Sequence, residues 1–199
     1  MPKIVNKEEK RKEIAKSCIY LLEDVGIKKL TVSAAAKAAG VGKGTIYEYF
    51  ESKEDIIFAI IEIHIAESSN IILEKMNGAV TTKDKLQCFF SFVIEEDEEN
   101  LKHFNGYKDY LSVALADTTE TYKKFNSVCD DFFVGFLRPL IQEGIDKGEL
   151  IPHSIKFVNS IVLFKKGLSL SKMTINNYNA KEAYDEFVDN FFELLEVKK

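Results

Sequence analysis

The sequence predicts an all-α protein of about nine helices, on three observations. Only three Pro and ten Gly occur in 199 residues, too few for a loop-rich chain. Apolar residues recur at helical spacing in one segment after another. A hydrophobic content of 46% with fifteen Phe exceeds the needs of a small helical module and implies a larger apolar core elsewhere. The expected division is a helix-turn-helix domain over residues 1–50 and a larger helical domain over residues 51–199.

Residues 1 to 7 contain Pro2, Lys3 and Lys7 and read as a basic tail. The first helix is predicted from Lys7 to Val25, with Ile14, Cys18, Leu21, Leu22 and Val25 on one face and Gly26 as its stop. Lys10, Arg11, Lys12 and Lys16 near its start suit phosphate contact and a solvated face equally well. Ile27, Leu30 and Val32 close the small core over this helix.

The stretch from Thr31 to Asp55, T-V-S-A-A-A-K-A-A-G-V-G-K-G-T-I-Y-E-Y-F-E-S-K-E-D, reads as two short helices joined by a sharp corner, then the start of a long one. Thr31 or Ser33 caps the first helix, and Ala34 to Ala39 is all alanine except Lys37, so its propensity is high. Gly40 supplies the φ > 0 corner at no steric cost. Ala36 presents only a methyl where the two helices cross. Ala35, Ala39, Val41, Ile46 and Tyr49 complete the apolar seam, which turns Lys43, Gly44, Thr45, Tyr47 and Glu48 outward.

This outward face carries donors and little bulk. Lys43 and Thr45 occupy the first turn, where side chains meet base edges when such a helix enters the major groove, and Gly44 lets backbone approach the duplex. Tyr47, Tyr49, Ser52 and Lys53 add hydroxyls and a cation suited to phosphates. Ser52-Lys53-Glu54-Asp55 also resembles a capping box. With Thr31 at the head of the preceding helix, these residues make up the expected DNA face: Thr31, Lys43, Gly44, Thr45, Tyr47, Tyr49, Ser52 and Lys53.

The corner Gly40-Val41, the small-residue helix before it, Y-x-Y-F at Tyr47 to Phe50 and S-K-E at Ser52 to Glu54 resemble the tetracycline-repressor (TetR) family. The resemblance covers the first quarter of the chain closely and the rest in layout. Gly42 stands where the family usually has a capping serine, and Ala34 replaces a usual larger aliphatic residue. The resemblance implies a repressor: a homodimer on an inverted-repeat operator in double-stranded DNA, controlled by a small molecule held in the helical body. It also implies that the N-terminal arm works near DNA.

The fourth helix is predicted from Ser52 to about Met76. Between Ile56 and Ala66 it is apolar on nearly every side, so it must be buried, and it is placed to act as a lever between domains. After Asn77-Gly78, Thr81 or Thr82 opens a fifth helix through Leu86, Phe89, Phe90, Val93 and Ile94, ended by the acidic run Glu95 to Glu99. A sixth spans residues 101 to 116, with Leu101, Phe104, Tyr107, Tyr110 and Leu111. Asp117-Thr118-Thr119 turns the chain into a seventh helix bearing Tyr122, Phe125, Cys129, Phe132, Phe133, Phe136 and Leu140, with a kink expected at Pro139. Gly144, Gly148 and Pro152 mark a connection.

The last two helices carry more apolar surface than one core requires. The eighth has Phe157, Ile161, Phe164 and Leu168 on one face with Val158 and Val162 on another, and the ninth offers Tyr184, Phe187, Val188, Phe191, Leu194 and Leu195. Phe157, Ile161, Phe164, Leu168, Phe187, Phe191 and Leu194 are therefore the expected homodimer interface, paired with their twins as a four-helix bundle. The aromatic load of the body suggests a site for a small apolar effector, at His64, Phe89, His103, Phe104, Tyr107, Tyr110, Phe125, Cys129, Phe133 and Phe164. Aromatic stripes at helical spacing also fill cores. The alternative is thus a constitutive or protein-partner-controlled DNA-binding protein without an effector site.

The formal net charge of −5 hides an asymmetry: residues 1–50 hold ten Lys or Arg and six Asp or Glu, a net of +4, so residues 51–199 carry −9. A basic head on an acidic body limits non-specific adhesion while keeping the binding face attractive. Cys18, Cys88 and Cys129 are odd in number and widely spaced, and read as reduced core thiols. His64, His103 and His153 stand singly, so neither a metal nor another cofactor is expected. No Ser/His/Asp set, nucleotide loop or paired-carboxylate motif suggests an enzyme. No apolar segment follows Met1 and the densest apolar run is too short for a bilayer, which predicts a cytoplasmic protein without a membrane partner.

Overall fold

The computed structural model describes residues 6–21, 26–116 and 119–198, and all side chains among them except those of Lys28, Glu99, Lys102 and His103. Nine α-helices have both ends within these residues: α1 Lys7–Ser17, α2 Val32–Ala38, α3 Lys43–Tyr49, α4 Lys53–Asn77, α5 Thr82–Ile94, α6 Glu98–Ala114, α7 Glu120–Asp146, α8 Val158–Thr174 and α9 Ala180–Leu195. The all-α expectation holds, the described extended pairing being a single antiparallel bridge between Leu150 and Glu196. α1 ends at Ser17 with a turn at Cys18; residues 19 to 21 are again helical, and Leu22 and Val25 lie outside the described residues.

The chain packs as two compact units, Met1–Ser69 with Gly106–Asp117, and Asn70–Asn105 with Thr118–Lys199. The first break between the units falls inside α4, after Ser69. By length and composition α4 would also cross a bilayer, with mean hydropathy 1.7 in its most apolar window; Ile56, Ile57 and Ile60 near its start are instead fully buried in the folded chain.

In the large unit the core gathers Leu86, Phe89, Phe90 and Val93 of α5, Leu137, Leu140 and Ile141 of α7, Val158, Ile161, Val162 and Leu168 of α8, and Tyr184, Val188, Phe191, Phe192 and Leu195 of α9. α5 starts at a full capping box, in which the Thr81 hydroxyl accepts from the Asp84 N–H and the Asp84 carboxylate from the Thr81 N–H. The acidic run stops α5 after Ile94, but its second half opens α6. Asp97 accepts from the Asn100 N–H at 3.0 Å, and acidic groups favour a helix N-terminus. α6 accordingly begins three residues earlier than the apolar spacing suggests. α7 runs unbroken through Pro139. The missing N–H deprives the Gly135 carbonyl of its helix partner, and both residues are exposed, where water serves.

Gly144 lies inside α7 rather than in a connection. A Cβ there would sit 2.4 Å from Thr82 Oγ1 and 2.9 Å from Cγ2, so α5 and α7 approach at this point as only glycine allows. The helix end proper lies four residues on. Gly148, at φ 72°, sends its N–H to the Ile145 carbonyl while the Glu149 N–H reaches Gly144, a Schellman closure. Gly144→Ala should lower stability by about 1 kcal/mol net. Overpacking against the buried Thr82 costs about 1–3 kcal/mol and outweighs the roughly 0.8 kcal/mol gained in helix propensity. Urea unfolding of Gly144→Ala alone and with Thr82→Ala checks this, since the second change should restore part of the loss.

Most of the expected dimer face is already packed within the single chain. Ile161, Leu168 and Phe191 are at most 5% exposed within the single chain, and Phe157, Phe164 and Phe187 are half-buried; of that set only Leu194 is exposed, at 76%. Residues from both apolar faces of α8 join the unit's own core, and Phe164 meets Phe90 of α5 as well as Phe187 of α9. Phe164 stacks on Phe187 at 3.9 Å, and Phe157 meets Phe191 edge-on at 6.0 Å. What α8 leaves to solvent is a different row, Leu163, Gly167 and Leu170.

Candidate nucleic-acid interface

The small unit is built around the corner between α2 and α3. Thr31 caps α2, its hydroxyl accepting from the Ala34 N–H at 3.1 Å. At the other end Gly40 takes φ 66°, its N–H reaching the Lys37 carbonyl and the Val41 N–H the Ala36 carbonyl at 3.0 Å. This is again a Schellman closure, and it turns the chain through the corner with its backbone groups satisfied. Ala35, Ala36 and Ile46 are buried in the seam, as their spacing predicts. Cys18 lies behind them, its thiol 3.8 Å from the Ala35 carbonyl and pushed up by burial. That is the behaviour of a small core hydrophobe; Cys88 and Cys129 are half-buried and in no disulfide.

α3 starts at Gly42, extended at φ −70° and ψ 152°, with no side chain to cap the first turn. Lys43, Gly44, Tyr47 and Glu48 are exposed, Tyr47 at 58%, and Thr45 is half-buried. A Cβ on Gly44 would meet nothing within 4 Å, so the bare backbone there answers to no packing need of the protein. Lys43, Gly44, Tyr47 and Glu48 thus face solvent. Tyr49, Ser52 and Lys53 flank it half-buried, and Lys53 Nζ lies 4.0 Å from Glu54.

One organising residue is invisible in a linear reading. Asp55 accepts from the Glu51 N–H at 3.1 Å with one oxygen and from Arg11 of α1 at 2.7 Å with the other, while its own N–H donates to Ser52 Oγ at 3.2 Å. The Arg11 guanidinium also lies 4.6 Å from the Phe50 ring centroid. Ser52 thus caps α4, and Arg11, a phosphate candidate by sequence, instead locks the α3–α4 joint against α1. Lys12 and Lys16 remain exposed, and Lys10 pairs with Glu13 at 2.9 Å.

The suggested effector residues fall in both units. In the large one Phe89 and Phe125 are buried, Cys129, Phe133 and Phe164 half-buried, and Phe89 meets Phe133 edge-on at 6.4 Å. Phe104 and Tyr110 of α6 are buried, Tyr107 and His64 half-buried, and the side chain of His103 lies outside the described residues. The spacing signal missed Lys165, which sits among these rings. Three or more His, Cys, Asp or Glu side chains grouped to hold a metal do not occur among the described residues.

Residues 19–60 match the family model described as bacterial regulatory proteins, tetR family. The chain is 27% identical over 150 residues, 72% of each chain, to the fatty acid metabolism regulator protein of Bacillus subtilis. It is 23% identical over 189 residues, 93% of this chain and 96% of the other, to IcaR, the negative transcriptional regulator of the Staphylococcus aureus biofilm operon icaADBC. The fold matches the crystal structure of a TetR-family transcriptional regulator from Cytophaga hutchinsonii with TM-score 0.73 and 19% identity, over 99% of this chain and all of that one. With its capped α2, its glycine corner and the exposed face of α3, the segment over residues 19–60 is that of the tetR family of bacterial regulatory proteins, and the chain as a whole is similar to transcriptional regulators of that type.

Proposed function

We propose that the protein is a repressor, cytoplasmic and homodimeric, that binds an inverted-repeat operator through α3 and is released from it by a small apolar ligand. The observation that carries the DNA reading is the surface of Lys43, Gly44, Thr45 and Tyr47, exposed or half-exposed on one face of α3 beside a net positive head. Lys43 and Thr45 read base edges; Thr31, Tyr47, Tyr49, Ser52 and Lys53 hold phosphates. Thr31 and Ser52 spend one acceptor site on their caps, and each hydroxyl keeps its proton to donate.

The test separates the two kinds of contact. Lys53→Ala should weaken binding to all sequences alike and lower the slope of log affinity against log salt by about one, as one fewer counterion is released. Lys43→Ala should alter sequence preference. Wild-type-like operator binding by the triple variant Lys43→Ala, Tyr47→Ala, Lys53→Ala refutes the interface.

Release by a ligand is supported by the aromatic content of the body and by a relative named for fatty acid metabolism. α4 is the element through which a ligand acts, being covalently common to both units. Inverting a 99:1 preference for the DNA-competent state needs about 5.5 kcal/mol of differential affinity, within reach of one mid-sized apolar molecule. Ligand and DNA must then weaken each other by the same factor. Thermal-shift screening of apolar compounds followed by operator titration tests this. Binders that leave operator affinity unchanged would favour the constitutive alternative.

A further inference from the structure

Lys165 lies on α8 in the core of the large unit, 8% exposed. Its Nζ donates to the Phe89 carbonyl at 2.7 Å and stands 4.0, 5.2 and 5.7 Å from the ring centroids of Phe89, Phe133 and Phe92. Among the described residues no carboxylate pairs with it, and burial alone pushes its ammonium down to about 7.

Two neighbours on the same helix show what is missing. Lys172, two turns on, repeats the arrangement one turn along α5: it donates to the Val93 carbonyl at 2.8 Å and lies 5.2 Å from the Phe104 ring, but it also has the Glu96 carboxylate at 3.6 Å. Lys166 pairs with Asp130. Lys165 has the carbonyl and the rings without the anion.

A cation withdrawn from water in this way is costly unless an anion joins it. An anion on an apolar body would satisfy both halves of the site. Its head would take a charge-assisted hydrogen bond from Nζ in place of the Phe89 carbonyl, and its chain would lie against phenyl rings that offer no competing polar group. A neutral head gains little from Nζ, and a cationic one is repelled.

We propose that Lys165 is the anchor for the acidic head of an amphiphilic effector, a carboxylate carried on an alkyl or acyl chain that lies among Phe89, Phe92 and Phe133. This rests on the effector reading above and assigns that ligand its chemical class.

Calorimetric titration of the full chain with laurate, methyl laurate and dodecyltrimethylammonium, each below its micellar concentration, is the test, run on the wild type and on Lys165→Met. Laurate should bind the wild type and lose on the order of 10- to 100-fold in Lys165→Met, the range of one charge-assisted hydrogen bond, while methyl laurate binds both alike. Equal laurate affinity in the two proteins, or equal affinity of the wild type for laurate and its ester, overturns the anchor and leaves an apolar effector standing. Preference for the alkylammonium overturns it in favour of a cationic ligand held by the same rings. Binding of none of the three overturns the anchor, and the broader thermal-shift screen then judges the effector reading on its own. Lys165→Arg, which keeps the charge, should retain laurate preference over the ester; loss of that preference with the fold intact also counts against the assignment.

Discussion

Lys165→Met is expected to stabilise the protein at pH 6 by about 1–3 kcal/mol, and to remove a rise in stability that the wild type shows between pH 7 and about 10. Lys165 has its ammonium pushed down from 10.5 to about 7 by burial. Below pH 7 the group is charged in both the folded and the unfolded chain, so the cost of burying the charge is fully present and constant. Between pH 7 and the ordinary lysine range the unfolded chain holds a proton that the folded chain has given up. Stability therefore rises with pH across that window and levels off above it. The drop from 10.5 to about 7 corresponds to about 5 kcal/mol between the two protonation states. The variant recovers less than this, because the three rings and the Phe89 carbonyl already offset part of the cost and are lost with the amine. Methionine has a similar volume and flexibility, so no cavity is left behind. Urea unfolding of both proteins at pH 6, 8 and 10 reads the difference, in which titrations common to both cancel. A variant no more stable than wild type at pH 6, with a parallel pH profile, would mean that the ammonium is not buried in solution.

A lysine whose replacement would stabilise the fold does not owe its place to folding stability. The sequence could not reveal it, because a lysine in an amphipathic pattern is read as solvated. Only the packing of α5 and α7 on α8 closes water out of that position. The burial of much of the expected dimer face within one chain was hidden for a related reason. α8 is apolar on two faces, and spacing alone does not say whether the second face meets a twin or the protein's own α9. The pairing of Arg11 was not legible because its partner Asp55 is 44 positions away. The reading head was legible because its determinants are local: a hydroxyl three residues before the N–H it caps, alanines where helices cross, and a glycine where φ must be positive. Its outward face then follows from helical periodicity. The N-terminal limit of α6 was missed because acidic residues were taken as a stop to α5, when half of them begin the next helix.

The row that α8 leaves to solvent carries the larger expected effect on function. Leu163→Glu with Leu170→Glu is expected to convert the protein to a folded monomer and to reduce operator affinity by on the order of a hundredfold or more. Leu163 and Leu170 are 63% and 46% exposed, with exposed Gly167 between them on α8, and Leu194 is the exposed apolar residue on α9. Side chains left wet on a helix face are free to change without harming the monomer, so the circular dichroism spectrum and monomer stability should stay close to wild type. In a two-fold interface every substitution appears twice in one patch, which puts four carboxylates where four leucines were. Desolvating even part of that charge costs at least about 3 kcal/mol, or about a hundredfold in dimerisation. Operator binding falls with it, since a lone head holds one half-site and loses the linkage that makes the second contact intramolecular. Phe191→Glu and Ile161→Glu are the contrasting controls. Both side chains lie inside the monomer's own core, so a carboxylate there should cost folding itself and give aggregated or unfolded protein rather than a clean monomer. Sedimentation at micromolar concentration, with operator binding measured on the same samples, decides the matter. A wild type that sediments as a monomer, or a Leu163→Glu, Leu170→Glu protein that remains dimeric, would show that this face is not where two copies meet.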